Sequence, residues 1–110
     1  MPRPAPKTKN WKAEVLINPG GGGYRLVVRG DVEVGNANET PHLAEHHPQG
    51  INPKILMLAL TITSHGAGTP AMTWKEVRFE KQVKSDQYTS VDILWEGKSI
   101  AQSKVTTPKS

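Results

Sequence analysis

The chain has 110 residues, a net charge of +4 and no cysteine. Its length is that of one domain, and the lack of cysteine excludes a disulfide framework, a thiolate zinc site and a cysteine nucleophile. The longest apolar run, Ile55 to Leu60, is much shorter than a membrane-spanning helix requires. We therefore expect a soluble, cytoplasmic protein with no membrane partner.

The positive charge is concentrated at the two ends of the chain. Residues 13–103 carry 8 basic and 10 acidic side chains, whereas the other 6 basic side chains lie in the terminal segments. A folded domain that binds nucleic acid gathers lysine and arginine on one face. Nucleic-acid binding is therefore not expected of the folded body. Weak nucleic-acid binding by the basic tails is the alternative.

Composition divides the sequence into three parts. Residues 1–10 are basic and rich in proline, which predicts a disordered tail. Residues 11–105 carry the apolar periodicity and are predicted to form a single β domain with a long loop at 35–52. Residues 106–110 are predicted to form a second disordered tail.

The first two predicted strands flank a glycine-rich break. Apolar residues occupy alternate positions in the segment 12–18, after which a proline and four glycines follow. From Tyr24 to Val34 the even positions are apolar or small and the odd positions are mostly charged, as in a long antiparallel strand with one solvated face. These runs predict a β-hairpin, and Gly30 indicates a bulge or a close approach by another backbone.

Four more strands are predicted after the loop. The segment from Ile55 to Ile62 has apolar residues at both odd and even positions, which predicts a central strand covered on both faces. Residues 74–83 alternate apolar and charged side chains, and Lys81 lies on the apolar side. This predicts an edge strand, where such a lysine can still extend its ammonium group to solvent. A turn at 96–98 separates the last two predicted strands.

This succession of strands, joined by glycine, proline and asparagine without a long helix, predicts an all-β fold. About six or seven antiparallel strands would form a small β-sandwich of the immunoglobulin-like or Greek-key type. A small OB-like barrel is the alternative.

The 35–52 loop is the longest break between predicted strands, and a loop of this length is usually functional or mobile. Thr40 and Pro41 favour the start of a short helix and Pro48 its end. The motif H-x-x-E-H within it would then lie on one helical face, because residues three and four apart meet on the same side of a helix.

The motif residues are candidate metal ligands. His42, Glu45, His46 and His47 offer the imidazole and carboxylate groups that bind zinc, copper or nickel, and His65 is a candidate additional ligand. Zinc or another divalent metal is therefore one predicted cofactor. The competing prediction is a solvated loop that carries histidines and binds no metal.

The order H-x-x-E-H resembles the zinc motif of inverzincin metallopeptidases. The resemblance covers five residues, and no downstream helix that could supply a third ligand is predicted. No nucleophile, base and orienting group can be assembled elsewhere in the sequence. We therefore predict that the protein is not an enzyme.

A long loop on rigid strands, without a catalytic constellation, favours a binding or protein-interaction module that acts through loops or an exposed sheet edge. The polar residues Asn36, Asn38, Gln49 and Asn52 form the predicted loop surface. The expected partner is an unidentified protein or a second copy of the chain in a homodimer.

Overall fold

The computed structural model describes residues 4–66, 70–84 and 86–107, and it consists of seven strands with one short 3-10 turn at Pro19–Gly21. In these ranges no helix is long and apolar enough to cross a membrane. The strands are β1 (Thr8–Ile17), β2 (Tyr24–Asn36), β3 (Glu39–Glu45), β4 (Ile55–Ser64), β5 (Pro70–Val83), β6 (Ser90–Trp95) and β7 (Lys98–Thr106).

The seven strands form one sheet in the order β3-β4-β6-β7-β1-β2-β5, which confirms the all-β prediction. Four pairings are antiparallel, while β1 with β7 and β4 with β6 run parallel. The sheet curls until it is nearly closed. It therefore fits the small OB-like barrel better than an immunoglobulin-like sandwich, which has two separate sheets.

The core lies inside this curled sheet. In β2 the even positions Leu26, Val28 and Val32 are fully buried, as the alternation predicts. β4 lies between β3 and β6, so its predicted central place is confirmed. The residues of the buried cluster are Ala13, Val15, Leu26, Val28, Val32, Leu56, Leu58, Leu60, Val77, Val91, Ile93 and Trp95.

The predicted loop at 35–52 contains a strand. Residues Glu39–Glu45 form β3 and pair antiparallel with Leu58–Ser64 of β4, so the short helix expected from Thr40 to Pro48 is wrong. Pro41 fits β3 because an edge strand tolerates a residue without a backbone N–H. Pairing with the apolar β4 thus outweighs the local helix signals.

β1 begins inside the predicted N-terminal tail. Thr8 pairs with Val32, and the Lys7 carbonyl accepts a hydrogen bond from the Glu33 N–H at 2.9 Å. Residues 8–10 therefore belong to the domain, and at the other end β7 extends to Thr106. Residues 1–3 and 108–110 of the two predicted tails lie outside the described residues.

The two edge strands, β3 and β5, face each other across a gap that we call the seam. No backbone hydrogen bond joins them within the described residues; lysine side chains bridge the gap instead. At one end Lys75 Nζ donates to the carbonyls of Ala37 at 2.8 Å and Glu39 at 2.6 Å. At the other end Lys81 Nζ donates to the Glu45 carboxylate.

Gly30 makes room for an aromatic ring. Between Lys9 and Lys12 the register of β1 shifts against β2, which marks a β-bulge opposite Gly30. A Cβ atom at Gly30 would lie less than 3.0 Å from the Trp11 ring, a separation that real Cβ atoms do not adopt. The close approach predicted at this glycine comes from a side chain and not from another backbone.

We expect Gly30→Ala to destabilise the protein by about 1–3 kcal/mol, because the added methyl group overpacks the Trp11 contact. Gly35→Ala on the same strand is the control, since its Cβ would meet other atoms only at 3.8 Å, and its effect should stay within about 0.5 kcal/mol. Urea unfolding followed by circular dichroism measures both. An equal loss of unfolding free energy in the two variants would contradict the packing explanation. So would a finding that Gly30→Ala loses as much unfolding free energy in a Trp11→Leu background as in the original protein.

Candidate functional site

The strand conformation of β3 separates the predicted metal ligands. Side chains alternate between the two faces of a strand, so His42 points outward while Glu45 points toward the seam. Four residues of strand separate His42 from His46 by roughly 13 Å, whereas two ligands of one zinc ion each lie about 2 Å from the metal. Among the described residues no group of three or more His, Asp or Glu side chains could hold a metal ion.

The histidines instead contact their own surroundings. His42 Nε2 lies 2.9 Å from the Thr63 hydroxyl on the adjacent strand, and His46 Nδ1 lies 3.1 Å from the Pro48 carbonyl. His47 is exposed. The backbone N–H of His65 bonds to the Asn38 carbonyl, at the opposite end of β3 from His46.

The predicted amide surface is also divided between the two ends of β3. Asn36 and Asn38 lie at the turn before this strand, and Gln49 and Asn52 lie in the loop after it. Asn38 Nδ2 donates to the carbonyls of His65 and Gly66, each at 2.6 Å. These residues therefore do not form one surface.

In the loop after β3, the amides stabilise the local backbone. The Gln49 side chain accepts from the Met57 N–H and donates to the Met57 carbonyl, both at 2.9 Å. The Gln49 side chain thus pairs with the backbone of β4 as a neighbouring strand would. The Asn52 side chain accepts from the Lys54 N–H at 2.9 Å.

The seam contains a polar cluster of Lys81, Glu45 and Tyr88. The Lys81 and Glu45 side chains pair with about 30% of each exposed, and Lys81 Nζ also lies 3.2 Å from the Tyr88 hydroxyl. The hydrogen bond to Glu45 is the main cause that raises the pKa of Lys81, with partial burial opposing it and Tyr88 adding to it. A lysine held protonated in this way stabilises the closed seam and is a poor nucleophile.

The first residues of β5 carry an exposed apolar patch. Met72 is 70% exposed and Trp74 is 39% exposed, and both belong to this edge strand. Lys9 of β1 places its ammonium group 4.2 Å from the centre of the Trp74 ring, a distance at which a cation–π interaction holds the ring in place. We call Pro70–Trp74 the β5 edge segment.

The outer face elsewhere on β1, β2 and β5 is covered by charged side chains. Glu14 pairs with Lys12 at 3.1 Å and with Arg29 at 3.6 Å, and Glu80 pairs with Arg78 at 3.3 Å. Such a face is well solvated and contributes little binding energy. The β5 edge segment has no charged residue.

Two of the grooves among the described residues are of comparable size and larger than the groove of about 290 Å³ beside Met72. One, of about 460 Å³, lies between β4 and the turn after β6 and is lined by His46, Ala59, Leu60, Thr61, Ile62, Trp95, Glu96 and Gly97. The other, of about 530 Å³, lies at the opposite end of the barrel between the β3–β4 loop and the β5–β6 turn. Both volumes are within the range of small-ligand sites.

Comparison with known proteins finds no match for this chain among protein families, curated proteins or solved structures.

The sequence did not point to the β5 edge segment as a binding surface. Its signal is an apolar pair, Met72 and Trp74, at the even positions of a strand whose other even positions, from Glu76 to Gln82, are charged or polar. That departure from alternation could have been found in the sequence. The free backbone edge of this segment could not be found in the sequence, because it depends on β5 being longer than β3.

Zinc titration tests the separation of the histidines. We expect the NMR signals of His42, His46, His47 and His65 to respond to zinc weakly and without one shared transition, because no group of three or more ligands is present among the described residues and β3 holds His42 and His46 apart. One stoichiometric transition shared by His42 and His46 would contradict this geometry. The zinc titration of the double variant His42→Ala/His46→Ala is to be compared with that of His65→Ala.

The ion pair of Lys81 with Glu45 predicts a pH dependence of stability. Because the pKa of Lys81 is raised in the folded protein above 10.5, its contribution is fully present below pH 10.5 and is lost as the pH rises through the folded-state pKa. We expect Lys81→Met to lower the free energy of unfolding by roughly 1–2 kcal/mol at neutral pH. The difference from the unsubstituted protein should shrink above pH 10.5.

Lys84→Met, at an exposed position just after β5, is the control for this measurement. It should leave the free energy of unfolding within about 0.5 kcal/mol of the original value. Urea unfolding at a series of pH values measures both variants. A pH-independent cost of Lys81→Met would show that its packing, and not its charge, stabilises the seam.

Proposed function

We propose that the protein is a non-enzymatic protein-interaction module that binds through the β5 edge segment, Pro70–Trp74. The observation that carries the proposal is the exposed pair Met72 and Trp74 on an edge strand whose other even positions, from Glu76 to Gln82, are charged or polar. As part of this proposal the module acts in the cytoplasm, since a chain without cysteine needs no oxidising compartment for its stability.

The lengths of the two edge strands make this segment available. β5 has 14 residues and β3 has 7. The bridging lysines, Lys75 and Lys81, fix the part of β5 that faces β3, and Pro70–Trp74 precedes that part. An edge strand offers unpaired N–H and C=O groups to another extended chain, and such strand addition is a common mode of protein recognition.

The partner that we propose first is a second copy of the chain. In an antiparallel two-fold pairing centred on Met72, Trp74 of one copy lies opposite Pro70 of the other, and Ala71 lies opposite Thr73. No like charges oppose each other, and the apolar residues meet on one face. A five-residue edge buries less area than a standard interface, so we expect weak association.

The polar side chains of the seam and of β3 have structural partners, which supports a binding role over catalysis. Lys81 and Glu45 pair with each other across the seam, and His42 bonds to Thr63. A general base or nucleophile needs a reacting group within reach and a pKa suited to the reaction. The protonated Lys81 does not meet that second requirement.

Sedimentation velocity from micromolar to millimolar concentration tests this proposal. We expect a concentration-dependent dimer that is lost in the double variant Met72→Lys/Trp74→Lys, since charge on both copies repels and the apolar contact is removed. Because Trp74 is at the contact, its fluorescence should change over the same concentration range.

Glu76→Lys is the matched control, because it changes the net charge by the same amount on the same face of β5. It should leave the dimer intact. A monomer at every concentration would refute self-association. Equal weakening by the control and the double variant would show that net charge, and not this segment, governs association.

A further inference from the structure

β4 runs past the end of its neighbour β6. The parallel pairing of these strands covers Ile55–Ala59 of β4 and ends at the pair Ala59 and Leu94. β4 continues for five more residues, Leu60–Ser64, which pair with β3 on the other side. On the β6 side of this extension no strand is paired within the described residues; we call this place the β4 notch.

A tight turn keeps β6 and β7 from filling the notch. Glu96 and Gly97 have φ values of 50° and 81°, and Trp95 pairs with Lys98, which is the geometry of a two-residue hairpin with both central residues in the left-handed region. The chain therefore reverses directly after Trp95 and leaves the edge of β4 uncovered.

The groove of about 460 Å³ is this notch. Ala59, Leu60, Thr61 and Ile62 of β4 line one side, the turn after β6 lines the other, and His46 lies at the β3 side. Small and apolar side chains on an open strand edge leave space for another backbone to approach. The volume suits a few residues of peptide and not the surface of a globular protein.

The charge at the notch selects among peptides. Glu96 is the only Asp, Glu, Lys or Arg residue that lines this groove. It is exposed and makes no ion pair with another described residue. A basic side chain on the incoming peptide would pair with it, while an acidic one would be repelled.

We infer that the β4 notch binds an extended peptide segment, which adds as a short strand to the edge of Leu60–Ser64 and places a lysine or arginine beside Glu96. The backbone of β4 provides the hydrogen bonds and the apolar lining provides contact for small alternate side chains, as in other cases of strand addition. The notch is an edge of β4 and the β5 edge segment is an edge of β5, although Ile62 and Met72 line one groove between them. Binding at the notch does not require self-association.

Titration of the 15N-labelled protein with capped pentapeptides tests the inference. The probe is acetyl-TVKVT-amide, and its comparisons are acetyl-TVEVT-amide and the first peptide with its central backbone nitrogens methylated. We expect the lysine peptide to shift the amide signals of Leu60–Ile62 and Trp95–Gly97. The glutamate peptide should bind about two- to fivefold more weakly, and the methylated peptide should not bind.

Charge reversal at the notch provides the matched variant. Glu96→Lys should reverse the preference between the two peptides, whereas Glu76→Lys on the opposite face of the barrel should leave it unchanged. Absence of shifts at Leu60–Ile62 would overturn the inference, as would equal binding of the methylated peptide or an unchanged preference in Glu96→Lys. Shifts confined to Pro70–Trp74 would also overturn it and would assign peptide binding to the β5 edge segment instead.

Discussion

The barrel is closed by side chains and not by a backbone ladder. Lys75 and Lys81, six residues apart on the inward face of β5, donate hydrogen bonds to β3 at the two ends of the seam. Apolar residues between them, including Val77 and Phe79, pack with the core. Charge-assisted hydrogen bonds are stronger than neutral ones, so two lysines can hold two edges that share no strand pairing.

This closure determines what the remaining polar residues can do. Glu45 points toward the seam, where its carboxylate forms an ion pair with Lys81. The carboxylate therefore lies apart from the predicted histidine ligands. His42, three residues earlier, points to solvent because the strand alternates. Because β3 is a strand, it therefore also places His42 and Glu45 of the H-x-x-E-H motif on opposite faces.

The sequence predicted the six strands that have a local signal and missed β3, whose formation depends on a distant partner. The alternation of Tyr24–Val34 predicted β2 because each residue of one face meets the same core. For β3 the local signals were ambiguous, since Thr40 followed by Pro41 fits both a helix start and an edge strand. β3 is a strand because it pairs with Leu58–Ser64, and no local sequence pattern indicates that pairing.

The placement of Lys81 on the apolar side of an edge strand was predicted, but its partner was not. Glu45 lies 36 residues earlier in the chain, and the two meet only because the sheet curls until its edges face each other. The same limit applies to the parallel pairings of β1 with β7 and β4 with β6. Parallel neighbours lie far apart in sequence, so hydrophobic periodicity gives no information about them.

Unequal strand lengths give the two proposed binding sites a common origin. β4 extends beyond its pairing with β6 by Leu60–Ser64, and β5 extends beyond the lysine-bridged seam by Pro70–Trp74; both extensions lie at the same end of the barrel. The molecule is accordingly elongated, with extents of 48 × 31 × 20 Å. A sheet that closes over only part of its strands leaves backbone edges free, and both edges here are uncharged along the strand. Closure stabilises the core, while incomplete closure leaves open the two strand edges at which we propose binding.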